Sequence, residues 1–212
     1  MPHDDNDHFS PSGHPYQPDQ DHPLTKWQAM EIAMRELMVE KGILTRKEIT
    51  ETVEAMDSRS PADGAKVVAR AWSDSDYKAR LLADGSAAIN EMGFHADAMK
   101  LVVLENTPTE HNVVVCTLCS CYPRNLLGLP PDWYKQRAYR SRVVKNPRAV
   151  LFEFGLILPV KTQVRVHDST ADMRYLVLPA RPTGTDGMNE TALATLVNRD
   201  SMIGVAQASD PK

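Results

Sequence analysis

The sequence has 212 residues, of which 42% are hydrophobic and 25% charged, the balance of a globular domain with a buried core rather than of a fibrous or disordered chain. Its 24 basic and 28 acidic side chains leave a net charge of −4, so no basic field recommends nucleic acid or an anionic membrane as partner. No apolar run reaches the roughly 18 residues of a membrane span. The start, MPHDDNDHFS, lacks the basic and apolar stretches of a signal peptide, and a cytoplasmic protein is expected.

Residues 1–24 hold five prolines, five aspartates and four histidines (His3, His8, His14, His22), with too little apolar surface to offset the entropy of ordering. They read as a solvated, disordered arm. From Thr25 the residues Trp27, Met30, Met34, Leu37 and Met38 recur at helical spacing up to Gly42. This Met/Trp stripe reads first as ordinary helix packing and second as a surface for another chain. Thr45 with Glu48 three residues on has the form of a capping box, Ser60-Pro61 starts a third helix, and Ser73 or Asp74 opens a fourth. The region 25–92 is therefore expected to be helical, with apolar stripes that could pack on a partner.

After it, KLVVL (100–104) and NVVVC (112–116) are short β-branched runs of the kind found in buried strands. Pro130-Pro131 leads into a periodic WYKQRAYRSRVV stretch that reads as one helix, and PRAVLFEFG (147–155) reads as another ending at Gly155. QVRVH (163–167) and RYLVL (174–178) flank a polar link, and the pattern predicts a hairpin whose turn is fixed by Asp168 and Ser169. A last helix is expected over 190–197, the chain looks loose after Gly204, and residues 207–212 read as a loose tail. The order of elements predicts an α+β fold: a helical arm, then a layered α-β-β-α domain over 93–206 that binds metal.

All three cysteines, Cys116, Cys119 and Cys121, fall within six residues. A disulfide framework would scatter an even number along the chain, so this odd, clustered set points to metal or redox chemistry. Coming off a strand into a turn, three thiols at CxxCxC spacing can face one point. Zinc would need a fourth ligand from a distance, such as His111 or His167. An iron–sulfur cluster meets the same shortage, and a Cys116–Cys119 redox pair would leave Cys121 idle. A strongly Lewis-acidic ion could also take the amide nitrogens of Ser120 and Cys121, leaving one coordination position open for chemistry.

The stretch VCTLCSCYP resembles the metal-binding motif of the nitrile hydratase α-subunit family. GLPPDWYK (128–135), AYRSRVV (138–144), NPRAVLFEFG (146–155), RVHDST (165–170), RYLVLPARPTGTDG (174–187) and NRDSMIG (198–204) are similar to successive family blocks, and the resemblance covers roughly residues 25–206. It implies an enzyme that hydrates nitriles to amides. Metal ligation falls to Cys116, Cys119 and Cys121 through sulfur and to Ser120 and Cys121 through backbone nitrogen. It further implies a non-corrin cobalt(III) or non-haem iron(III) ion, with Cys119 oxidised to a sulfinate and Cys121 to a sulfenate, and it gives the catalytic roles to Cys119, Ser120 and Cys121. The Cys121 sulfenate is the favoured nucleophile. Thr117 and Tyr122 match the cobalt branch.

The same resemblance implies a hetero-oligomer with a β-subunit, or with two small β-like subunits, a small-molecule nitrile substrate and a metallochaperone or activator, with neither nucleic acid nor membrane as partner. Two positions depart from the usual family pattern, Arg124 after Tyr-Pro and His167 in RVHDST, where Trp is the common residue. The arginine is similar to thiocyanate hydrolase, a sister enzyme and the alternative reading; a bulky or nucleoside-type nitrile is the other implication of the split-partner branch. Arg124 could meet the oxidised cysteines, a substrate anion or the partner chain. His167 reads as a structural histidine or a pocket residue, and Arg174 as a neighbour of the substrate passage or half of an ion pair. The rival of another class is a non-catalytic zinc module with reduced thiols.

Overall fold

A computed structural model of the chain describes residues 23–96 and 99–211. Most of the arm assigned to residues 1–24, with its four histidines, lies outside the described residues. The chain divides into two compact units, 1–51 and 52–212. The helical region assigned to 25–92 is thus shared between them.

In the first unit, α1 (Lys26–Glu40) starts at Thr25, whose hydroxyl and Gln28 exchange capping bonds. The Thr45–Glu48 box is also present: Glu48 N–H donates to Thr45 Oγ1 at 3.1 Å and Thr45 N–H to Glu48 Oε2 at 2.7 Å, opening α2 (Arg46–Asp57). Arg46 closes on Glu36 with a two-pronged ion pair that ties the start of α2 to α1. Neither helix buries a single residue. Within this unit the Met/Trp stripe is not packed: Trp27 is 74% exposed, and Met30 and Met34 are exposed beside it.

The second unit begins its core with α3 (Pro61–Ser73), which buries Ala65, Val67, Val68, Ala69 and Ala71 along one face. Asp74 caps α4 (Ser75–Ala83) by accepting from Asp76 and Tyr77 N–H, and Asp84 caps a short α5 (Gly85–Asn90) that the sequence reading passed over. The strands β1 (Lys100–Glu105) and β2 (Glu110–Val115) follow as expected, and every residue of β2 from His111 on is buried. Short helices α6 (Arg124–Leu127), α7 (Asp132–Lys135), α8 (Arg137–Val143) and α9 (Pro147–Glu153) fill the crossover to β3 (Gln163–Asp168). The single helix expected over WYKQRAYRSRVV is two, because Gln136 is extended (φ −68°, ψ 137°). The break brings Trp133, Tyr134 and Tyr139 into one aromatic cluster, with Trp133 edge-on to both tyrosines.

The hairpin expected of β3 and β4 (Met173–Leu178) does not form. β3 pairs with β2 and β4 with β1, both in parallel, giving two two-stranded sheets with registers Val115↔Asp168 and Val103↔Leu176. The two neighbouring segments differ in burial. Leu176–Leu178 are buried in the core, while β3 alternates exposed Gln163 and Arg165 with half-buried Val164 and Val166. Each strand is recruited by a different partner, and the link is turned by Thr170, whose N–H donates to Met173 O and whose hydroxyl accepts from Met173 N–H. Asp168 and Ser169 serve β2 instead.

The C-terminal segment is also better anchored than expected. α10 (Glu190–Ala194) is followed by α11 (Arg199–Ile203), which is capped by Asn198 and buries Ser201, Met202 and Ile203. Val205 is fully buried, and Ser209 N–H donates to Leu196 O. The mixture of helices around two small sheets is an α+β fold.

His111, on β2, is buried between two partners: its Nε2 lies 2.7 Å from Gly204 O, and its Nδ1 lies 3.1 Å from Asn106 Nδ2. A carbonyl on one side and an amide NH2 on the other satisfy the neutral ring, so a proton added at Nδ1 would face a donor. Burial holds the His111 imidazolium below its ordinary pKa of 6.5, and burial depresses that of His167 as well. The unfolded chain therefore takes up more protons on acidification, so this contribution to stability is present above about pH 6.5 and lost as pH falls below it. The urea midpoint should drop between pH 7 and pH 5, and His111→Gln should flatten that dependence; an unchanged slope in the variant would remove His111 from the account.

Candidate metal centre

β2 runs buried to Val115 and then releases the chain into the loop Cys116–Pro123. Cys116 is buried, Cys121 half-buried and Cys119 exposed. Their three Sγ atoms lie within 4.8 Å of one another, with Cys119 Sγ 3.5 Å from Cys116 and 3.4 Å from Cys121. Cys119 N–H donates to Cys116 Sγ at 3.2 Å.

The loop is held from several sides. Asp168, brought alongside by the β2–β3 pairing, accepts from Thr117 N–H at 2.9 Å and from Thr117 Oγ1 at 2.5 Å. Arg140 of α8 donates to Thr117 O at 3.1 Å, and the Tyr134 hydroxyl of α7 donates to Cys121 O at 2.8 Å. Below them the Tyr139 hydroxyl donates to Val114 O. Leu118, at the tip, is left 89% exposed. The frame thus fixes the loop by its backbone and leaves the sulfurs free to point at one place.

The thiols do not share one electrostatic environment. Hydrogen bonds from Cys121 and Cys116, and then from the Ser120 amide, hold the Cys119 thiol below its ordinary value. Burial first, and then the neighbouring Cys119, push the Cys121 thiol up to about 12, with Arg174 pulling the other way. The approach of the Ser120 and Cys121 amides to Cys119 places main-chain nitrogen beside sulfur in the same turn. Three convergent soft donors with adjacent amides fit a thiophilic transition-metal ion.

The remaining residues singled out in the sequence separate into two groups. Arg124 and Arg174 line a cleft of about 620 Å³ that also exposes Cys119, Ser120, Cys121 and Tyr122. Most of Tyr122 is buried beneath the loop, its ring edge-on to Tyr134 at 5.3 Å. Arg174 is fixed by donating to the Thr170, Ala171 and Met173 carbonyls, and among the described residues it has no ion pair.

His167 stands apart from the cleft lining: its Nε2 is 2.8 Å from Asn112 Oδ1 and its ring lies against Tyr175. Neither His111 nor His167 joins the thiols, and among the described residues no other His, Asp or Glu completes a four-ligand zinc set. Asp168, Arg140 and Tyr134 had escaped the sequence reading as supports of the loop. Only the parallel pairing of β2 with β3 reveals that Asp168 faces Thr117.

An α+β chain that gathers three cysteines into one claw at the end of a buried strand has the donors of a metal centre. The family model described as nitrile hydratase, alpha chain, matches residues 25–206, and the chain belongs to that family. It is 49% identical over 181 residues to the low-molecular weight cobalt-containing nitrile hydratase subunit alpha of Rhodococcus rhodochrous, an alignment covering 84% of this chain and 87% of the relative. It is 43% identical over 195 residues to the thiocyanate hydrolase subunit gamma of Thiobacillus thioparus, covering 86% and 80%. A crystal structure of a thiocyanate hydrolase mutant superposes with a TM-score of 0.82 at 40% identity, over 90% of this chain and 93% of the other. No helix among the described residues is long and apolar enough to cross a membrane.

Proposed function

We propose that the chain is the metal-bearing α-subunit of a cobalt nitrile hydratase, converting R–C≡N and water to R–C(=O)NH2. The observation that carries this reading is the convergence of the three thiols on a loop that opens into a cleft. Cys116, Cys119 and Cys121 would hold cobalt(III) through sulfur, and Ser120 and Cys121 through main-chain nitrogen. The cobalt assignment is supported by the printed name of the Rhodococcus relative and by Thr117 and Tyr122. A trivalent ion so bound supplies Lewis acidity toward the nitrile.

The chain's own residues do the rest. Asp168, Arg140 and Tyr134 hold the main chain of the loop, so that the donors need not reorganise. Cys121 in its sulfenate form presents an oxygen nucleophile at the cleft wall, and Arg174 keeps positive charge beside it. A β-subunit or two small β-like chains complete the enzyme, and the exposed stripe of α1 offers them an apolar face.

Metal analysis, intact mass and the visible spectrum of chain coexpressed with its partners test this reading. Near-stoichiometric cobalt, sulfur-to-metal absorption and oxygen added to the 116–121 peptide support it; one zinc with three unmodified cysteines refutes it. Arg124 favours thiocyanate hydrolase as a second reading, decided by assaying thiocyanate beside nitriles on the same preparation.

Asp168→Ala should lower cobalt retention or activity about 10–100-fold, the usual range for losing a group that orients a metal-bearing segment. Equilibrium dialysis against a chelator measures it. Retention equal to that of the unaltered chain would show that Thr117 does not need its carboxylate.

A further inference from the structure

The cleft beside the cysteines is lined by four cationic side chains, Arg59, Arg124, Lys135 and Arg174, and among the described residues its lining holds no carboxylate. These cations are not equivalent. Arg174 is locked onto three carbonyls next to Cys121. Arg59 donates to Asn125 Oδ1 at 2.7 Å, and Lys135 pairs with the exposed Asp132 at 3.1 Å. Arg124, three residues past Cys121 at the start of α6, is exposed on the cleft wall and makes no ion pair or side-chain hydrogen bond among the described residues.

Arg174, fixed beside Cys121, and Arg124, unpaired among the described residues, make two positive positions in one concavity. Field lines focus in such a cleft and raise the local concentration of anions. Its volume of about 620 Å³ has room for an organic molecule.

Resting on the nitrile hydratase reading, we infer that the cleft selects nitriles that also carry a carboxylate, with the cyano group at Cys121 and the carboxylate on Arg124. The reaction is unchanged: water adds across C≡N, with oxygen bonded to carbon and both protons ending on nitrogen, nothing is oxidised or reduced, and the carboxylate leaves as it came. Arg124 is here a specificity-determining residue.

The holoenzyme, coexpressed with its partner chains, is assayed on 4-cyanobenzoate and on the neutral isostere 4-cyanobenzamide. The expected kcat/KM ratio favours the anion by about tenfold, the scale of one charge-assisted hydrogen bond, and the preference sits in KM. It should shrink toward unity as salt shortens the screening length from about 10 Å at 0.1 M to about 3 Å at 1 M. Arg124→Gln should abolish the ratio and Arg124→Lys should retain part of it. Lys161→Gln, a charge change outside the cleft, should leave the ratio intact.

Equal turnover of both nitriles, or an equal fall in the ratio for Lys161→Gln, overturns the inference while leaving the nitrile hydratase reading standing. Turnover of thiocyanate with neither nitrile hydrated overturns that reading, and the inference with it.

Discussion

Cys121→Ser should leave a folded chain that retains little cobalt and loses at least about a thousandfold in turnover, the loss that accompanies removal of a Lewis-acid centre. The three Sγ atoms form one group within 4.8 Å, so each supplies a donor that nothing nearby replaces. A serine hydroxyl is harder and far less acidic than a thiol, and it does not stand in for thiolate toward a thiophilic ion. Folding should survive, because the loop is held by its main chain: Tyr134 reaches the carbonyl of residue 121 and not its side chain.

Circular dichroism, thermal melting and cobalt content of the same sample separate the outcomes. Native-like melting with cobalt lost is expected. Full cobalt and full activity in the serine variant would place the centre elsewhere and remove the basis for the proposed function.

The claw itself was legible because it is local. CxxCxC spacing confines three thiols to one turn, whatever the rest of the fold does, and the helix starts at Thr25, Thr45 and Asp74 are equally local contracts between a cap and the next three residues. What failed was long-range. A short polar link between two β-branched segments fits a hairpin, yet β3 and β4 join different sheets, and only that pairing puts Asp168 under Thr117.

Burial was similarly invisible. Met30 and Met34 have helical spacing whether the stripe meets its own chain or another, and here both are exposed. In the sequence His167 reads first as a structural histidine and Arg174 equally as a passage residue or half of an ion pair; tertiary structure sets one onto Asn112 and the other into the cleft. The short α5, α6 and α11 have too few residues for a periodic signal and exist because their apolar side chains are buried in the core.

The largest structural effect is expected at a residue outside the cleft. Gly204 closes α11 with φ +89°, in the left-handed region, and a Cβ there would stand 1.9 Å from Asn112 O and 3.0 Å from Asn112 C. The neighbours are main chain of β2, which is paired to β3 and buried, so they have nowhere to retreat. The same residue gives its carbonyl to His111 Nε2, and Asn112 holds His167. Moving either segment disturbs buried polar contacts as well as packing.

Gly204→Ala should therefore cost about 4 kcal/mol or more, in the range reserved for backbone clashes in a core, and lower Tm by roughly 8–16 °C for a chain of this size. Gly93→Ala is the matched comparison: its φ is +81° with nothing within 4 Å of the added Cβ. That variant carries only the left-handed strain, about 1–2 kcal/mol. Because β2 delivers Cys116 four residues after Asn112, the Gly204 variant should also hold cobalt less well, whereas the Gly93 variant should not. Thermal melting and metal content of both chains decide it. Equal Tm losses would mean that strain alone acts and that β2 does not press on α11's end.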